Sequence, residues 1–213
     1  MEERHGGISK SLQDNFGAIL KEYQDIASLN DKRKSGSDYR FDEHSKLHTG
    51  EWDWHSYVQK GDVSGSFAAS CPVTVNVLEG LSHTPDKSAE RVNSLVKGMP
   101  FSYAFFSSLG PQSEIVAHYG PTNLRLRCHL PLIVPEGDCG IEIGGETHKW
   151  EVGKPLFFDD CFMHRVWNKS EDEKRVILLF DLWHPELERE EVEAVKDMFS
   201  FLQSSSQSIA APK

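Results

Sequence analysis

The sequence predicts a mainly β protein folded as a double-stranded β-helix, the jelly roll of cupin-like proteins, with helices flanking it at both ends. Two observations lead to this prediction. Short apolar runs recur at close intervals in the second half of the chain, separated by turn residues. Patterns of helical period are longest near the two ends of the chain, where they predict the flanking helices.

Eight short segments have the composition of β-strands. We expect them at residues 102–107, 114–118, 125–134, 140–143, 146–150, 155–158, 164–168 and 175–182. Turn residues such as Gly144-Gly145 lie between them. Strands this short and this frequent favour an antiparallel sandwich or barrel, of which the jelly roll is the natural form.

The helical segments divide the chain into three regions. An N-terminal helix is predicted from Ile8, because apolar residues recur every three or four positions at Ile8, Leu12, Phe16, Ile19, Tyr23 and Ile26. We assign residues 1–50 to this helix and a polar linker, 51–203 to the jelly roll with a closing helix at 187–202, and 204–213 to a flexible tail.

Two further segments lie before the predicted strands. Residues 71–81 are compatible with either a strand or a short helix, because β-branched residues follow Pro72. Residues 88–97 predict a helix that ends at Gly98, with Pro100 as a stop signal.

Length and charge limit the class of protein. The 213 residues suffice for one sizeable core, and the net charge of −10 argues against nucleic acid as a partner. No apolar run approaches the ~20 residues of a spanning helix, and the first residues lack a signal-peptide core. We therefore expect a cytoplasmic protein that does not bind membranes, with its four scattered cysteines as free thiols. Nothing in the sequence indicates an oligomeric state.

His118 and His164 lie on two different predicted strands and suggest a metal centre. Imidazole suits Fe(II) and Zn(II), and a barrel can bring distant strands together. Non-haem Fe(II) oxygenases use two histidines and a carboxylate, but the expected carboxylate position is Gly120. The residues by themselves leave two ligands, completed by water or another small ligand, or else two ordinary strand histidines.

A row of basic side chains follows the first of these histidines. Arg125, Arg127 and His129 alternate along one strand and therefore share one face. Burying three potential cations is costly unless anions compensate, so this face predicts a pocket for carboxylates rather than a solvated surface. Arg175, at the start of the last strand, can also hold a carboxylate bidentately, with Lys174 as the alternative.

From Trp52 to Leu187 the chain resembles the aspartyl/asparaginyl β-hydroxylase family of 2-oxoglutarate-dependent oxygenases. The matching blocks are CPVT at 71–74, HYGPTN at 118–123, RLRCHL at 125–130, WEVGK at 150–154, FDDCFMH at 158–164 and DLWHPEL at 181–187. This family also has glycine where other oxygenases have the carboxylate ligand, which matches Gly120.

The resemblance implies a hydroxylase that uses Fe(II), 2-oxoglutarate and O₂. It implies His118 and His164 as iron ligands and Arg125 as a contact to a substrate carboxylate. The residues it implies for 2-oxoglutarate are Ser107, Arg127, His129 and Arg175. We further predict that Asp160 supports the site catalytically, through a ligating imidazole or a metal-bound water.

The predicted substrate is a small molecule or peptide that carries a carboxylate, such as an aspartyl side chain or an amino acid. Two other functions remain open. The chain could be a halogenase, because a glycine in place of the carboxylate leaves room for chloride at iron. It could also be a binding protein that keeps the cupin-like barrel without turnover.

Overall fold

A computed structural model describes residues 2–31, 47–81 and 94–209. Most of the predicted polar linker and the first part of the predicted 88–97 helix lie outside these residues, as do residues 210–213. The described residues form two antiparallel β-sheets packed face to face, with helices against the outer face of the larger sheet. This is the predicted jelly roll.

All eight predicted strands are present, each end within two residues of its predicted position. Three further strands, β1 to β3, precede them in the described part of the chain. The strands are β1 His48–Thr49, β2 Trp52–Gln59, β3 Asp62–Val63, β4 Tyr103–Leu109, β5 Ser113–His118, β6 Arg125–Ile133, β7 Cys139–Ile143, β8 Glu146–His148, β9 Leu156–Phe158, β10 His164–Asn168 and β11 Arg175–Trp183.

The larger sheet has the strand order β3-β2-β4-β11-β6-β9, and the smaller sheet has the order β1-β5-β10-β7-β8. Alternate residues of β11 face opposite sides of the larger sheet. Val176, Leu178 and Phe180 pack in the core beneath the helices, whereas Arg175, Ile177 and Leu179 line a cavity between the sheets. Burial on both faces explains why β11 reads as a continuous apolar run.

The N-terminal region forms two helices rather than the single predicted helix. Helix α1 spans Glu2–Asp14, so it begins before Ile8, and α2 spans Phe16–Asp31. They meet at Asn15, whose side-chain amide donates a 2.8 Å hydrogen bond to the Ser11 carbonyl. In a continuous helix that carbonyl would accept a hydrogen bond from the Asn15 backbone N–H. The Asn15 side chain therefore competes with its own backbone N–H for the same acceptor, and the helix is interrupted here. The predicted apolar stripe is otherwise confirmed, with its residues packed in the main core.

The ambiguous segment at 71–81 is helical. Helix α3 spans Gly65–Ser70, and α4 spans Pro72–Gly80 with proline at its first position. The N-terminus of α4 is capped from a distance by Glu22 of α2. Its carboxylate accepts hydrogen bonds from Val73 N at 2.7 Å and from Thr74 N at 2.8 Å. This long-range cap favours a helix where the local pattern allowed a strand.

The predicted helix at 88–97 is wrong for residues 94–97, which are the part that the structure describes. Leu95 forms a β-bridge with Leu182, and Val96 N donates to the Asp181 carbonyl at 2.9 Å. Pairing with the end of β11 therefore replaces the local helical pattern.

The closing helix α5 spans Arg189–Ile209 and extends into the region predicted as a tail. None of the described helices combines the length and apolar character needed to cross a bilayer.

Candidate active site

A cavity of about 680 Å³ lies between the two sheets. Its volume falls within the ~300–1,000 Å³ that small-molecule sites usually enclose. All eight residues proposed from the sequence line it, although they come from five strands and one loop. They are Ser107, His118, Arg125, Arg127, His129, Asp160, His164 and Arg175.

His118 ends β5, and His164 begins the neighbouring antiparallel strand β10. The two residues lie opposite each other in register, with ring centroids 4.2 Å apart. Each Nδ1 lies within hydrogen-bonding distance of a backbone carbonyl: Val116 O at 2.8 Å for His118 and Phe162 O at 2.9 Å for His164. Because a carbonyl only accepts, we assign the ring proton to Nδ1 and the lone pair to Nε2.

This tautomer is the one that a metal-binding imidazole needs, with its other nitrogen held by a backbone group. Burial and the neighbouring His118 ring also lower the pKa of His164 to about 4. His164 is therefore neutral at physiological pH, the form in which histidine ligates metals.

Residue 120 has no room for a side chain that could act as a third ligand. An ideal Cβ at this position would lie 2.5 Å from Oδ2 of Asp160 and even closer to its Cγ. The backbone N–H of Gly120 donates a 2.6 Å hydrogen bond to the Asp160 carbonyl, which fixes this close approach. Among the described residues, no third histidine, cysteine or carboxylate joins the two imidazoles in a metal-binding cluster.

Two arginines and two aspartates form a buried network beside the histidines. Arg125 contacts Asp160 at 2.6 Å and Asp181 at 2.7 Å, while Arg127 contacts the same two carboxylates at 3.2 Å and 2.9 Å. Burial would raise the pKa of Asp160, but the guanidiniums of Arg127 and Arg125 outweigh it and hold that pKa below its usual value. The charges of this network balance internally.

The basic face predicted for β6 is thus compensated, for two of its three residues, by carboxylates of the protein. The guanidinium of Arg125, expected to contact a substrate carboxylate, donates hydrogen bonds to Asp160 and Asp181 in the structure.

Arg175 and His129 form a second polar group, and here the charge is not balanced. The Nη1 atom of Arg175 donates to the Ser107 carbonyl at 3.2 Å and to its Oγ at 3.3 Å. Its guanidinium lies 4.9 Å from the centre of the Trp150 ring. No carboxylate among the described residues pairs with Arg175, and burial lowers its pKa to about 10.

Three buried nitrogens at this position have no hydrogen-bond partner among the residues that the structure describes. They are the Nε of Arg175 and both ring nitrogens of His129. Burial and the nearby charges of Arg175 and Arg127 hold the pKa of His129 well below its usual value. Unsatisfied buried donors beside an unpaired cation are the features of a pocket that could hold an anion.

Two residues of the site were missed by sequence reasoning. Asp181 pairs with both arginines of the network, and Trp150 stacks on Arg175. Alternation along β11 could have indicated Asp181, which shares a face with Arg175 in an otherwise apolar strand. No local pattern indicated a role for Trp150 in the site. Lys174, the alternative to Arg175, points instead toward the Tyr23 ring.

Fold and site together define a jelly-roll protein with a two-histidine candidate metal centre and an adjacent pocket suited to an anion. The family model for Aspartyl/Asparaginyl beta-hydroxylase matches residues 13–185. The chain therefore belongs to this family, and the resemblance found in its motifs is confirmed.

Relatives support the same assignment. The chain is 34% identical over 194 residues to Aspartate beta-hydroxylase domain-containing protein 2 of Xenopus tropicalis, covering 89% of this chain and 48% of that protein. It is 35% identical over 138 residues to Aspartyl/asparaginyl beta-hydroxylase of Mus musculus, covering 65% and 17% respectively. The chain thus spans about half the length of the first relative.

Among solved structures, the chain is similar to a cupin-like protein from Thermotoga maritima. The TM-score is 0.36 and the identity 11%, over 69% of this chain and 86% of that one.

Proposed function

We propose that this chain is an Fe(II)- and 2-oxoglutarate-dependent hydroxylase. The proposal rests on one observation: a single cavity contains two neighbouring imidazoles and an arginine that no described carboxylate neutralises. Family membership supports the hydroxylase class.

His118 and His164 would hold the iron. Two imidazoles suit Fe(II), and the remaining positions would be left to small ligands because no third side chain of the described residues joins the pair. When bound, the iron would let one molecule of 2-oxoglutarate and one of O₂ become succinate and carbon dioxide while one substrate C–H bond becomes C–OH.

Arg175 would hold the distal carboxylate of 2-oxoglutarate. The Trp150 ring and Ser107 already orient its guanidinium, so little side-chain entropy would be lost when the co-substrate binds. His129 and Arg127 line the same cavity and would flank the bound dicarboxylate. The part of these residues is to bind and orient the co-substrate and to exclude water from it.

The Asp160 carboxylate favours hydroxylation over halogenation. Chloride would need the space that Gly120 leaves beside the histidines, and the carboxylate of Asp160 already borders that space. An anion there would meet a carboxylate, whereas a water molecule could donate a hydrogen bond to it. Asp160 thus keeps its proposed supporting role, as a group that would orient a small neutral ligand.

The first experiment is anaerobic reconstitution with Fe(II) and 2-oxoglutarate, followed by the visible metal-to-ligand charge-transfer band. We expect the band in the wild type and in His148→Ala, whose histidine lies on β8 outside the cavity. We expect no band in His164→Ala.

A folded wild type that retains no iron and develops no band would refute the proposal. Formation of succinate after oxygen is admitted separates an enzyme from a binding protein. Product analysis with and without chloride separates hydroxylation from halogenation.

A further inference from the structure

The hydroxyl of Ser107 receives hydrogen bonds from two sides. The Nε1 atom of Trp52 donates to Ser107 Oγ at 2.9 Å, and the Nη1 atom of Arg175 donates to it at 3.3 Å. Indole and guanidinium N–H groups act only as donors. The two bonds therefore use both lone pairs of the hydroxyl oxygen, and the hydroxyl hydrogen is left to be donated elsewhere.

The hydrogen of this hydroxyl has no acceptor among the residues that the structure describes, because Ser107 Oγ bonds only to the two donors just named. Ser107 is 1% exposed and lines the cavity. Buried donors are rarely left unpaired, so the acceptor has to come from a molecule inside the cavity. An anion fits this place best, because Ser107 and Arg175 can then donate to it together.

The pairing of β2 with β4 brings Trp52 to this hydroxyl. Trp52 lies opposite Leu109 in register, and Trp54 lies opposite Ser107. Trp52 and Ser107 are therefore diagonal neighbours on the cavity face of the larger sheet. The Trp52 ring also meets the Trp54 ring edge to face, with centroids 4.9 Å apart. This packing restricts the indole, so its N–H is directed at Ser107 before any ligand binds.

We infer that Trp52 is a positioning residue for the co-substrate: its indole N–H fixes the Ser107 hydroxyl as a donor to the carboxylate that Arg175 binds. The inference rests on the proposed function for the identity of that co-substrate, 2-oxoglutarate. Without the indole N–H, the hydroxyl regains a free lone pair and can turn it toward the bound carboxylate, which repels it. Trp52 thus acts on the co-substrate through Ser107.

A double-mutant cycle separates this role from a packing role. The probe is 2-oxoglutarate, and ligand-observed NMR follows its binding to the metal-free full chain in the presence of a chelator. We expect Trp52→Phe to weaken binding about fivefold and Ser107→Ala to weaken it about tenfold. In the Ser107→Ala background, Trp52→Phe should change the affinity by less than about twofold, because the hydroxyl that Trp52 orients is absent.

Two further proteins control for the shape of the ring and for the loss of an indole. Incorporation of 3-benzothienylalanine at position 52 keeps a bicyclic ring of the same shape and removes only the N–H, so the loss of affinity should match that of Trp52→Phe. Trp167→Phe removes an indole N–H that donates to Asp138, outside the lining of the cavity. We expect this variant to bind the probe within about twofold of the wild type.

Three results would each overturn the inference: no binding of the probe to the wild type, unchanged affinity in the benzothienylalanine protein, or an equal loss from Trp52→Phe in both backgrounds. Iron takes no part in this measurement, whereas the charge-transfer band of the previous subsection requires it. A protein that develops the band but shows no coupling between Trp52 and Ser107 keeps the proposed function and loses this inference, so the two failures are distinguishable.

Discussion

The carboxylate of Asp160 occupies the space into which a side chain on residue 120 would project. The glycine of the HYG motif is therefore required by its neighbour Asp160. Its backbone φ is not in the left-handed region, so the requirement is one of space and not of conformation. The same carboxylate is held by Arg125 and Arg127, which connects the candidate metal centre to the buried ion-pair network.

Gly120→Ala should displace the Asp160 carboxylate and so weaken a buried ion-pair network. We expect the free energy of unfolding to fall by about 3 kcal/mol, because partners left uncompensated in such networks are costly. Urea denaturation measures the change. Gly65→Ala is the matched control, since a Cβ at Gly65 meets nothing within 4 Å. Similar losses in the two variants would show that Asp160 does not restrict residue 120.

Arg175→Lys should weaken 2-oxoglutarate binding although it preserves the charge. Lysine lacks the planar fork that contacts Ser107 and stacks on Trp150, so we expect about a tenfold loss of affinity. Arg175→Gln, which also removes the charge, should lose about a hundredfold. Titration of the charge-transfer band with 2-oxoglutarate measures both. Lys174→Gln alters the neighbouring residue on the opposite face, and an equal loss there would contradict the assignment of Arg175.

His129 should make the metal-free protein less stable in mild acid. The pKa of His129 in the folded protein lies well below the ordinary value of 6.5. Below that pH the unfolded chain binds a proton that the folded protein excludes, so stability falls as pH decreases through this window.

His129→Gln should lose less stability than the wild type between about pH 6.5 and pH 5. Urea midpoints in the presence of a chelator at several pH values provide the comparison. The depressed pKa of His164 acts in both proteins, so the difference between the two curves isolates His129. His148→Gln, outside the cavity, should follow the wild type, and parallel curves for all three proteins would refute the prediction.

Glu22→Gln tests the connection between the N-terminal helices and the rest of the protein. The Glu22 carboxylate accepts from two backbone N–H groups and the Thr74 hydroxyl at the start of α4. A neutral amide has a single acceptor oxygen and no charge to interact with the helix dipole, so we expect a loss of about 1 kcal/mol in the free energy of unfolding. Glu171→Gln, at an exposed turn position, is the control for urea denaturation. An unchanged midpoint in Glu22→Gln would argue against the cap.

Strand positions and the composition of the site were predictable because their signals are local. Alternation and turn residues located all eight expected strands, and they placed Arg125, Arg127 and His129 in one row. The histidine pair followed from motifs on two strands that the jelly roll places side by side. The predictions that failed lay where distant residues decide the local structure. Leu95 pairs with Leu182 instead of continuing a helix, and Asn15 divides the N-terminal helix in two.

The sequence by itself determined the fold class, the family and eight of the residues that line the cavity, because period and motif depend on near neighbours in the chain. Only the tertiary structure decided which charges neutralise each other. The register of β6, β11 and the loop before β10 brings Asp160 and Asp181 onto Arg125 and Arg127, and no carboxylate in the described part of the chain pairs with Arg175. Electrostatic pairing depends on distances of a few ångströms between residues far apart in sequence, and no local pattern records those distances.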